Sequence, residues 1–394
     1  MNVDLCSTPF GEFTLTRIPV DRTGTLKAWD GADLLLLDAV AALDRSEARR
    51  VLILGDNFGA LSVALAGPHT WLLSDSLVSE HAIARNHAAA SVQCPLQVVS
   101  SVTSGPELAG TLEGPVDLVV WNIDKSTDML THLAALLPFI SHAGTIVYAA
   151  GMDKHLPPRT GELLRGHGIV TTHPGRKKAH LFELRVRPGA SAFDPVAPPG
   201  RAQVHVAEHD LAVAAWPGVF AADRFDLGTR LLADEVAHLD EILPDAQHVV
   251  DLGCGSGILG MLALRTLPAV TVTFCDESDH AVVSARENVE ANGATLGPDP
   301  LARSQFVRSH IFDDIDVSNV DLIVCNPPFH HANATNDEVA WQMFMQSHRV
   351  LRPGGELWVV ANRHLGYHEK LARIFDATAH VVSHPKFVVL AARR

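Results

Sequence analysis

The chain of 394 residues runs twice through the same alternation of short apolar strands and amphipathic helices, and this repeat limits its fold more than any other feature. In the C-terminal part, 248–252 and 321–325 are typical of strands and 281–291 of a helix. In the N-terminal part, 51–54 and 117–121 belong to a matching series of strands. Strands that alternate with helices form βαβ units around a largely parallel sheet. The sequence therefore predicts two α/β domains.

Residues of the same type occur at corresponding places in the two parts of the chain. Four such pairs lie 198, 201, 202 and 204 positions apart. A long-period repeat of this kind indicates an internal duplication, although any two α/β domains in tandem give a similar cadence. We favour duplication because the matched residues fall at corresponding strand ends. The pairs are Gly55 with Gly253, Asp75 with Asp276, Asn86 with Asn288, and Asn122 with Asn326.

A stretch rich in proline and glycine, Pro188 to Gly200, separates the two parts. Clustered Pro and Gly neither continue a helix nor supply the N–H donors that a sheet needs, so this stretch is typical of a linker. We expect an N-terminal domain at 1–187, a linker at 188–204 and a C-terminal domain at 205–394.

The composition excludes several classes of protein. Hydrophobic residues make up 47% of the chain and charged residues 19%, which excludes a disordered chain. The apolar runs are shorter than the ~20 residues of a membrane span, so no membrane partner is expected. The N-terminus, Met1 to Cys6, lacks both the basic start and the apolar core of a secretory signal. We therefore expect a cytoplasmic protein.

The charge and the cysteines narrow the choice further. A net charge of −14 argues against general coating of nucleic acid, yet residues 151 to 200 hold 8 basic and 4 acidic residues. The five cysteines form no Cys-x-x-Cys pair, so neither a zinc site nor a disulfide framework is indicated, and no metal is expected. We interpret the cysteines as reduced, mostly buried thiols.

A glycine-rich turn, Asp251-Leu-Gly253-Cys254-Gly255-Ser-Gly257, follows a predicted strand and precedes a helix. Parallel sheets bind ligands at this position, although many such turns are only structural. Asp251 lies two residues before the first glycine, where its negative charge would repel a pyrophosphate but attract a ligand with cationic groups. This part of the chain resembles the seven-stranded S-adenosylmethionine-dependent methyltransferases.

That resemblance implies further contacts to the cofactor. Asp276, followed by Glu277, would accept hydrogen bonds from both ribose hydroxyls. Ser309, His310 or the backbone would read the adenine, although His310 departs from the Asp or Asn usual there and is also compatible with a plain surface histidine. The loop before the first helix would add Gly228 and Thr229, through backbone and hydroxyl. The alternative for this loop is a simple connection with its aromatic residues, Trp216 and Phe220, in the core.

A second motif, Asn326-Pro327-Pro328-Phe329-His330, follows a predicted apolar strand. If the Asn326 side-chain oxygen and the Pro327 carbonyl each accept one N–H, a conjugated exocyclic amine is drawn towards tetrahedral geometry, with its lone pair aimed at a methyl group. Phe329 would stack on the base, which is worth roughly 1–3 kcal/mol. The alternative is an ordinary turn. His330 and its neighbour His331 either touch substrate or face solvent.

One basic residue follows the fifth predicted strand, at the same edge of the sheet. Arg363 either binds a phosphate or forms an internal salt bridge.

Taken together, these motifs make the chain similar to the duplicated-domain ribosomal RNA (guanine-N2) methyltransferases, over both halves. The resemblance implies two tandem Rossmann-like, seven-stranded class I methyltransferase domains, S-adenosylmethionine as cofactor and rRNA as partner, either naked or within a ribosomal particle. It implies N2-methylguanosine as product and a monomer. In the C-terminal part it is carried by 218–220, 226–232, 251–257 and 326–330. Four other segments, 26–33, 52–61, 339–344 and 361–365, resemble the 23S more than the 16S branch.

The N-terminal copy has lost parts of both motifs. Asn57 replaces the middle glycine, and Asp56 adds a carboxylate that, if it faced the methionine carboxylate at ~4 Å, would repel it by about 4 kcal/mol. The segment 122–125 lacks both prolines and the aromatic residue. We predict a degenerate, non-catalytic copy. It either helps to hold RNA or is a structural partner, and the basic residues considered for RNA are Arg159, Arg165, Arg176, Lys177 and Lys178.

Two other functions remain open from the residues. An Asn-Pro-Pro-aromatic motif also serves enzymes that methylate a 16S rRNA guanine, an adenine N6 or a protein glutamine, although the last two classes more often carry Tyr at the position of Phe329. A non-enzymatic RNA-binding or ribosome assembly factor is the alternative from another class. Retention of both motifs, at 251–257 and 326–329, argues against it.

Overall fold

The computed structural model describes residues 4–20, 25–43, 50–187, 200–328 and 334–394. It divides into two compact units, Met1–Arg201 and Ala202–Arg394. The division falls within the stretch 188–204 that the sequence indicates as a linker, and residues 188–199 lie outside the described ranges. Within these ranges, no helix has both the length and the apolar character needed to span a bilayer.

The first unit begins with a hairpin and continues as alternating strands and helices. Its elements are β1 (Asp4–Thr8), β2 (Gly11–Leu15), α1 (Gly31–Ala41), β3 (Val51–Leu54), α2 (Ala60–Ala64), β4 (Thr70–Ser74), α3 (Leu77–Ala89), β5 (Gln97–Ser100), α4 (Gly105–Thr111), β6 (Val116–Asn122), α5 (Thr127–Ile140), β7 (Ser141–Met152), α6 (Thr160–Arg165), β8 (Gly168–Thr172) and β9 (Ala179–Val186).

The second unit has the same plan. Its elements are β10 (Ala202–Val206), β11 (Leu211–Ala215), α7 (Leu227–Val236), α8 (Leu239–Ile242), β12 (His248–Leu252), α9 (Ile258–Thr266), β13 (Thr271–Asp276), α10 (Asp279–Ala291), β14 (Ser304–Arg308), β15 (Val320–Cys325), α11 (Ala334–Val350), β16 (Leu351–Asn362), α12 (Tyr367–Leu371), β17 (Ala377–Ser383) and β18 (Phe387–Arg393), with short 3₁₀ turns at Ala207–His209, Gly293–Thr295 and Arg363–Leu365.

Each unit contains one seven-stranded sheet, and the two sheets have the same strand order. The order is β5-β4-β3-β6-β7-β9-β8 in the first unit and β14-β13-β12-β15-β16-β18-β17 in the second. All neighbouring strands are parallel except β9 and β18, which run antiparallel to both neighbours. The two seven-stranded α/β sheets expected from the resemblance are therefore confirmed.

One asparagine in each unit fixes its hairpin to a helix in the same way. In α10, Asn288 Nδ2 donates to the Ala214 carbonyl at 2.7 Å, and Asn288 Oδ1 accepts from the Ala214 N–H at 2.8 Å. In α3, Asn86 makes the same two bonds to Thr16, at 2.7 and 3.0 Å. The duplication therefore includes the hairpins, which the sequence pattern alone did not show.

The core of the second unit lies on both faces of its sheet, and one contact packs helix α9 closely against strand β13. A Cβ added to Gly260 would stand 2.2 Å from Cε1 of the buried Phe274. Only glycine allows α9 to approach β13 this closely. This close packing fixes the start of α9, and with it the preceding glycine-rich turn.

Candidate functional site

The three glycines of the turn in the second unit have left-handed backbone conformations and differ in how closely they are packed. Gly253, Gly255 and Gly257 have φ values of +70°, +53° and +82°, which glycine adopts readily. Among the described residues, the atom nearest to a Cβ added at Gly253 would be 3.7 Å away, and at Gly255 3.9 Å away. A Cβ at Gly257 would instead meet Ala285 at 2.9 Å. A Cβ at either of the first two glycines would thus make only an ordinary van der Waals contact, whereas the third glycine permits close helix packing.

Asp276, at the end of β13, holds this turn in place. Its Oδ2 accepts from the Gly255 N–H at 3.0 Å, and its Oδ1 accepts from the Ser278 N–H at 3.1 Å. A carboxylate oxygen has capacity for a further hydrogen bond, so both oxygens remain able to accept from a ligand. The neighbouring Glu277 uses its backbone carbonyl to accept from Arg308 Nε at 3.2 Å. The structure thus brings Asp276 to the turn, as the sequence predicts.

Asp251 lies under the turn. It is buried, and its Oδ2 accepts from the Gly260 N–H of α9 at 2.9 Å. Burial, together with the nearby charge of Asp276, raises the pKa of Asp251 to about 8. The carboxyl supports α9 through this bond, and its suitability for a cationic ligand stays a prediction. Burial likewise raises the pKa of the Cys254 thiol well above its usual value.

The turn after β14 places the two residues expected near an adenine. Ser309 is buried, and its hydroxyl accepts from the Asp314 N–H at 3.1 Å. The His310 N–H donates to Asp314 Oδ2 at 3.0 Å, and the residue is half-buried. Ser309 and His310 thus lie together in the turn after β14, and their contact with an adenine stays a prediction.

The chain leaves the sheet at Asn326. Pairing between β15 and β16 ends at Cys325 with Val359, and the following prolines have no N–H to continue it. Asn326 Nδ2 donates to Thr229 Oγ1 at 2.8 Å. Asn326 Oδ1 is buried, and no group of the described residues donates a hydrogen bond to it. Pro327 is buried and Pro328 exposed. The predicted contacts Phe329 and His330, like His331, lie outside the described residues.

Thr229 and Gly228 have a different environment from the one the sequence suggests. Both backbone N–H groups donate to Asp226 Oδ2, at 2.9 Å from Gly228 and 3.2 Å from Thr229. Asp226 is the N-cap of α7. The N–H groups proposed for the cofactor therefore already have a partner, and the Thr229 hydroxyl meets Asn326. An Asp before a helical pattern is a known N-cap signal, so the sequence could have shown that Asp226 accepts from these N–H groups. It could not have shown the contact between the Thr229 hydroxyl and Asn326.

The loop that precedes α7 divides between core and surface. Trp216 is buried, and its backbone N–H donates to Ser284 Oγ at 2.9 Å, so the core alternative is correct for it. Val219 is the residue nearest to Gly255, and the following Phe220 is 52% exposed, so the core alternative is wrong for Phe220.

Arg363 is exposed and bonded to the turn between β17 and β18. Its Nη2 donates to the His384 carbonyl at 3.0 Å and to Ser383 Oγ. No carboxylate in the described ranges pairs with it, so the salt-bridge alternative finds no support there.

The corresponding space in the first unit is closed. A Cβ added to Gly55 would stand 2.0 Å from the Asn122 carbonyl oxygen. Strand β6 includes Asn122, which pairs with Ala150, and the Ile123 N–H donates to the Ala150 carbonyl at 2.7 Å. The backbone at the end of the fourth strand therefore fills the position beside Gly55, whereas the position beside Gly253 has room for a Cβ.

Asp56 does not face that space. It is buried, and it accepts from the Gly59 N–H at 2.8 Å and the Ser62 N–H at 2.7 Å. Its carboxylate thus supports the start of α2. The expected repulsion of a ligand carboxylate by Asp56 is wrong, because closure by the backbone has removed the space where such a ligand would sit.

The strand register corrects one of the matched pairs. Ser74 accepts from the Ser101 N–H at 3.0 Å, as Asp276 accepts from the Ser309 N–H at 2.8 Å, through their backbone carbonyls. Ser74 and not Asp75 is therefore the counterpart of Asp276. Successive side chains of a strand point to opposite faces, so a shift of one residue matters. The first unit has no carboxylate at this position.

The five basic residues considered for RNA are exposed but not equally available. Lys177 Nζ pairs with Asp38 at 3.1 Å, and Arg159 pairs with Glu162. Of these five, Arg165, Arg176 and Lys178 have no ion-pair partner among the described residues. The structured ranges also hold no group of His, Cys, Asp and Glu suited to a metal ion.

The strand order and the site at the ends of the first, second and fourth strands define the class I methyltransferase fold. Residues 210–391 match the "Methyltransferase small domain" family, and residues 4–188 match the "RLMG N-terminal domain" family. A solved structure, the T. thermophilus 16S rRNA N2 G1207 methyltransferase in complex with AdoMet and guanosine, has the same fold. It has a TM-score of 0.73 and 20% identity, and the match covers 100% of this chain and 98% of that one.

Two full-length relatives are both named "Ribosomal RNA large subunit methyltransferase G". The protein of Streptomyces avermitilis is 37% identical over 99% of both chains. That of Aeromonas salmonicida is 37% identical over 98% of both. The chain belongs to the ribosomal RNA large subunit methyltransferase G family.

Proposed function

We propose that this protein transfers a methyl group from S-adenosylmethionine to the exocyclic N2 amine of a guanine in large-subunit (23S) ribosomal RNA. The observation that carries the chemistry is the Asn326 carboxamide oxygen, which is buried and without a partner in the described ranges. An unsatisfied buried acceptor is costly unless a ligand completes it. A planar amine supplies the missing donor, and family membership supports rRNA as its source.

The residues around the glycine-rich turn fit the cofactor. At Gly253 and Gly255 a Cβ would make only ordinary van der Waals contacts, at 3.7 and 3.9 Å, which supports close approach of a ligand to the backbone there. Asp276 would accept from ribose hydroxyls and His310 would contact the adenine. When bound, S-adenosylmethionine supplies an electrophilic methyl group on a positively charged sulfur.

The protein's own contribution is orientation. The lone pair of a guanine N2 amine is conjugated with the ring, which makes the amine a poor nucleophile. Asn326 Oδ1 accepts one N–H, and the Pro327 carbonyl is proposed to accept the other. The two acceptors hold the nitrogen out of full conjugation with its lone pair directed along the line of attack. Preorganised dipoles of this kind do not need to reorganise during reaction.

The target guanine must be unpaired or flipped out of its helix, because its amine is otherwise inside a base pair. We assign Phe329 as the stacking surface for the base. His330 is a further candidate for substrate contact, and so is Arg363, whose Nη1 makes no hydrogen bond to a described residue.

For the first unit we propose a role in holding RNA, with no chemistry of its own. The exposed cations Arg176 and Lys178 lie at the turn between β8 and β9, and Arg165 ends α6. Cations without a local partner are free to neutralise phosphates. Lys177 contributes less because Asp38 already pairs with it. We also propose that the protein is cytoplasmic and monomeric. Light scattering of the purified chain tests whether it is a monomer.

The deciding experiment is transfer of a tritiated methyl group from labelled cofactor to undermethylated rRNA, offered as naked 23S, naked 16S and assembled subunits. Nucleoside analysis is expected to find N2-methylguanosine in 23S rRNA. Label in 16S rRNA, in N6-methyladenosine or in protein glutamine would replace the proposal with one of the other methyltransferase functions. Absence of both transfer and calorimetric cofactor binding would favour the assembly factor.

A further inference from the structure

We infer that Thr229 is a positioning residue, whose hydroxyl holds the Asn326 carboxamide with its oxygen directed at the substrate amine. This inference rests on the proposed function, because it concerns how the reacting amine is held. It differs from the role that the sequence suggests for Thr229, which is direct contact with the cofactor.

Thr229 is held rigidly in the structure. It lies in the first turn of α7, and the N-cap Asp226 accepts from its N–H at 3.2 Å. From this fixed base its Oγ1 accepts from Asn326 Nδ2 at 2.8 Å. A residue at the start of one helix therefore fixes a side chain that follows the fourth strand, 97 positions further along the chain.

The direction of the carboxamide decides whether the site works. A carboxamide has an acceptor on one side and a two-proton donor on the other. With Nδ2 engaged by Thr229, the oxygen is the atom left without a partner among the described residues. A rotation of half a turn would present N–H donors to an amine that itself donates. The two sets of donors would repel, and the amine would lose the acceptor that activates it.

The first unit retains the same arrangement independently. Asp33 follows the N-cap Asp30 of α1 by three residues, as Thr229 follows Asp226. Asp33 Oδ1 accepts from Asn122 Nδ2 at 2.7 Å. Both units thus fix the asparagine after the fourth strand from the same helix position. The second unit uses a hydroxyl at this position, where the first uses a carboxyl whose pKa burial and the nearby Asp30 raise well above its usual value.

The test compares Thr229→Val, which keeps the shape and removes the hydroxyl, with Thr229→Ser, which keeps the hydroxyl. For Thr229→Val we expect kcat to fall by about 10- to 100-fold, less than direct loss of a transition-state contact. The cofactor Kd, measured by calorimetry, and the KM for rRNA should stay within about two-fold of wild type. Thr229→Ser should recover kcat to within about three-fold.

A double-mutant cycle separates positioning from fold effects. In an Asn326→Ala background, where no carboxamide remains to be oriented, Thr229→Val should cause no further loss of kcat. If Thr229→Val fails to fold, Thr229→Ala removes the same hydroxyl and is judged by the same criteria.

The outcomes distinguish this inference from the proposed function. An active Asn326→Ala enzyme would overturn the proposed chemistry itself. An inactive Asn326→Ala enzyme beside a fully active Thr229→Val enzyme would overturn only the positioning role. A Thr229→Val enzyme that binds the cofactor at least ~tenfold more weakly with unchanged kcat would return Thr229 to the cofactor site and also overturn the inference.

Discussion

The two units share a strand order and the asparagine that fixes each hairpin, yet backbone blocks the position beside the first glycine of the turn in one unit and not in the other. The difference lies in the short segment that follows the fourth strand. In the first unit the Ile123 N–H continues the pairing to Ala150, and the Asn122 carbonyl lies against Gly55. In the second, Pro327 has no N–H and the chain turns away. A methyltransferase fold is therefore not itself a methyltransferase site, because the end of one strand decides between them.

The largest effect should come from exchanging Asn326. Asn326→Ala removes the unpartnered acceptor and is expected to lower methyl transfer by about 100- to 1,000-fold while the cofactor still binds. Tritium transfer and calorimetry measure the two properties. The matched control is Asn122→Ala in the first unit, which should leave turnover per folded molecule unchanged. Equal losses from both substitutions would break the distinction between the units.

The next largest effect concerns the prolines. Pro327→Ile gives the second unit the residue that the first has after its asparagine, and it restores an N–H that can extend β15 along β16. We expect kcat/KM to fall by roughly tenfold or more as the space beside Gly253 narrows. Pro328→Ala is the control, because that residue is exposed. A Pro327→Ile enzyme with wild-type kcat/KM would show that the prolines do not keep the site open.

Loss of the carboxylate at the end of the second strand should weaken cofactor binding. Asp276→Ala removes an acceptor of charge-assisted hydrogen bonds worth about 1.5–3 kcal/mol each, so the Kd should rise at least tenfold by calorimetry. Ser74→Ala, at the counterpart position, should leave the Kd unchanged. Because Asp276 also holds the Gly255 N–H, Asp276→Asn should recover part of the affinity.

A stability difference is expected from Asp251, where the first unit has Ile53. The folded state raises the pKa of Asp251 to about 8, so it binds a proton that the unfolded chain releases at lower pH. The extra stability that this bound proton gives to the folded state is fully present below the pKa that Asp251 has in the unfolded chain. It is lost as the pH rises from there towards about 8. Wild type should therefore lose stability relative to Asp251→Asn over this range, as urea unfolding at about pH 5 and pH 8 would show.

Asp321 is the control, because its pKa is shifted in the opposite direction from that of Asp251. Burial alone would raise the pKa of Asp321, but Arg352 and the N–H groups of His248 and Gln247 lower it below its usual value. Wild type should therefore lose stability relative to Asp321→Asn as pH falls. If the two variants shift in the same direction, the assigned environments are wrong.

The smallest effect should be on RNA affinity. Reversing Arg176 and Lys178 to Glu should weaken rRNA binding several-fold and flatten its salt dependence by about one unit for each phosphate that is no longer neutralised. Cofactor affinity should not change. Arg187→Glu, at the other end of β9, is the control for net charge. Unchanged RNA affinity with intact cofactor binding would leave the first unit only a structural role.

Much of the fold could be predicted from the sequence because local patterns carry it. Apolar strands and amphipathic helices alternate, and Gly253, Gly255 and Gly257 mark the turn after the first strand. Asn326 and its prolines could also be identified, since their chemistry is specific. In these cases the residue type alone determines the backbone conformation that is allowed or the hydrogen bonds that the side chain can make.

The rest of the site could not be predicted, because it depends on the direction in which side chains point and on contacts between residues far apart in the sequence. Asp56 and Asp251 look like acids facing a ligand, but both turn inwards to a helix start, which composition does not reveal. The Asp75 pairing was wrong by one residue because pattern matching does not resolve strand register. The contact between Thr229 and Asn326 joins two elements that only the folded sheet brings together.

The way the first unit is closed bears on how duplicated enzymes diverge. No added loop or plug fills its pocket in the described ranges, since ordinary backbone pairing from Asn122 to Ala150 is sufficient. Extending a strand satisfies main-chain groups and leaves the hydrophobic interior untouched. Loss of a binding site in one copy of a duplicated domain therefore requires no rebuilding of its core, because pairing at one strand end is enough to fill the position.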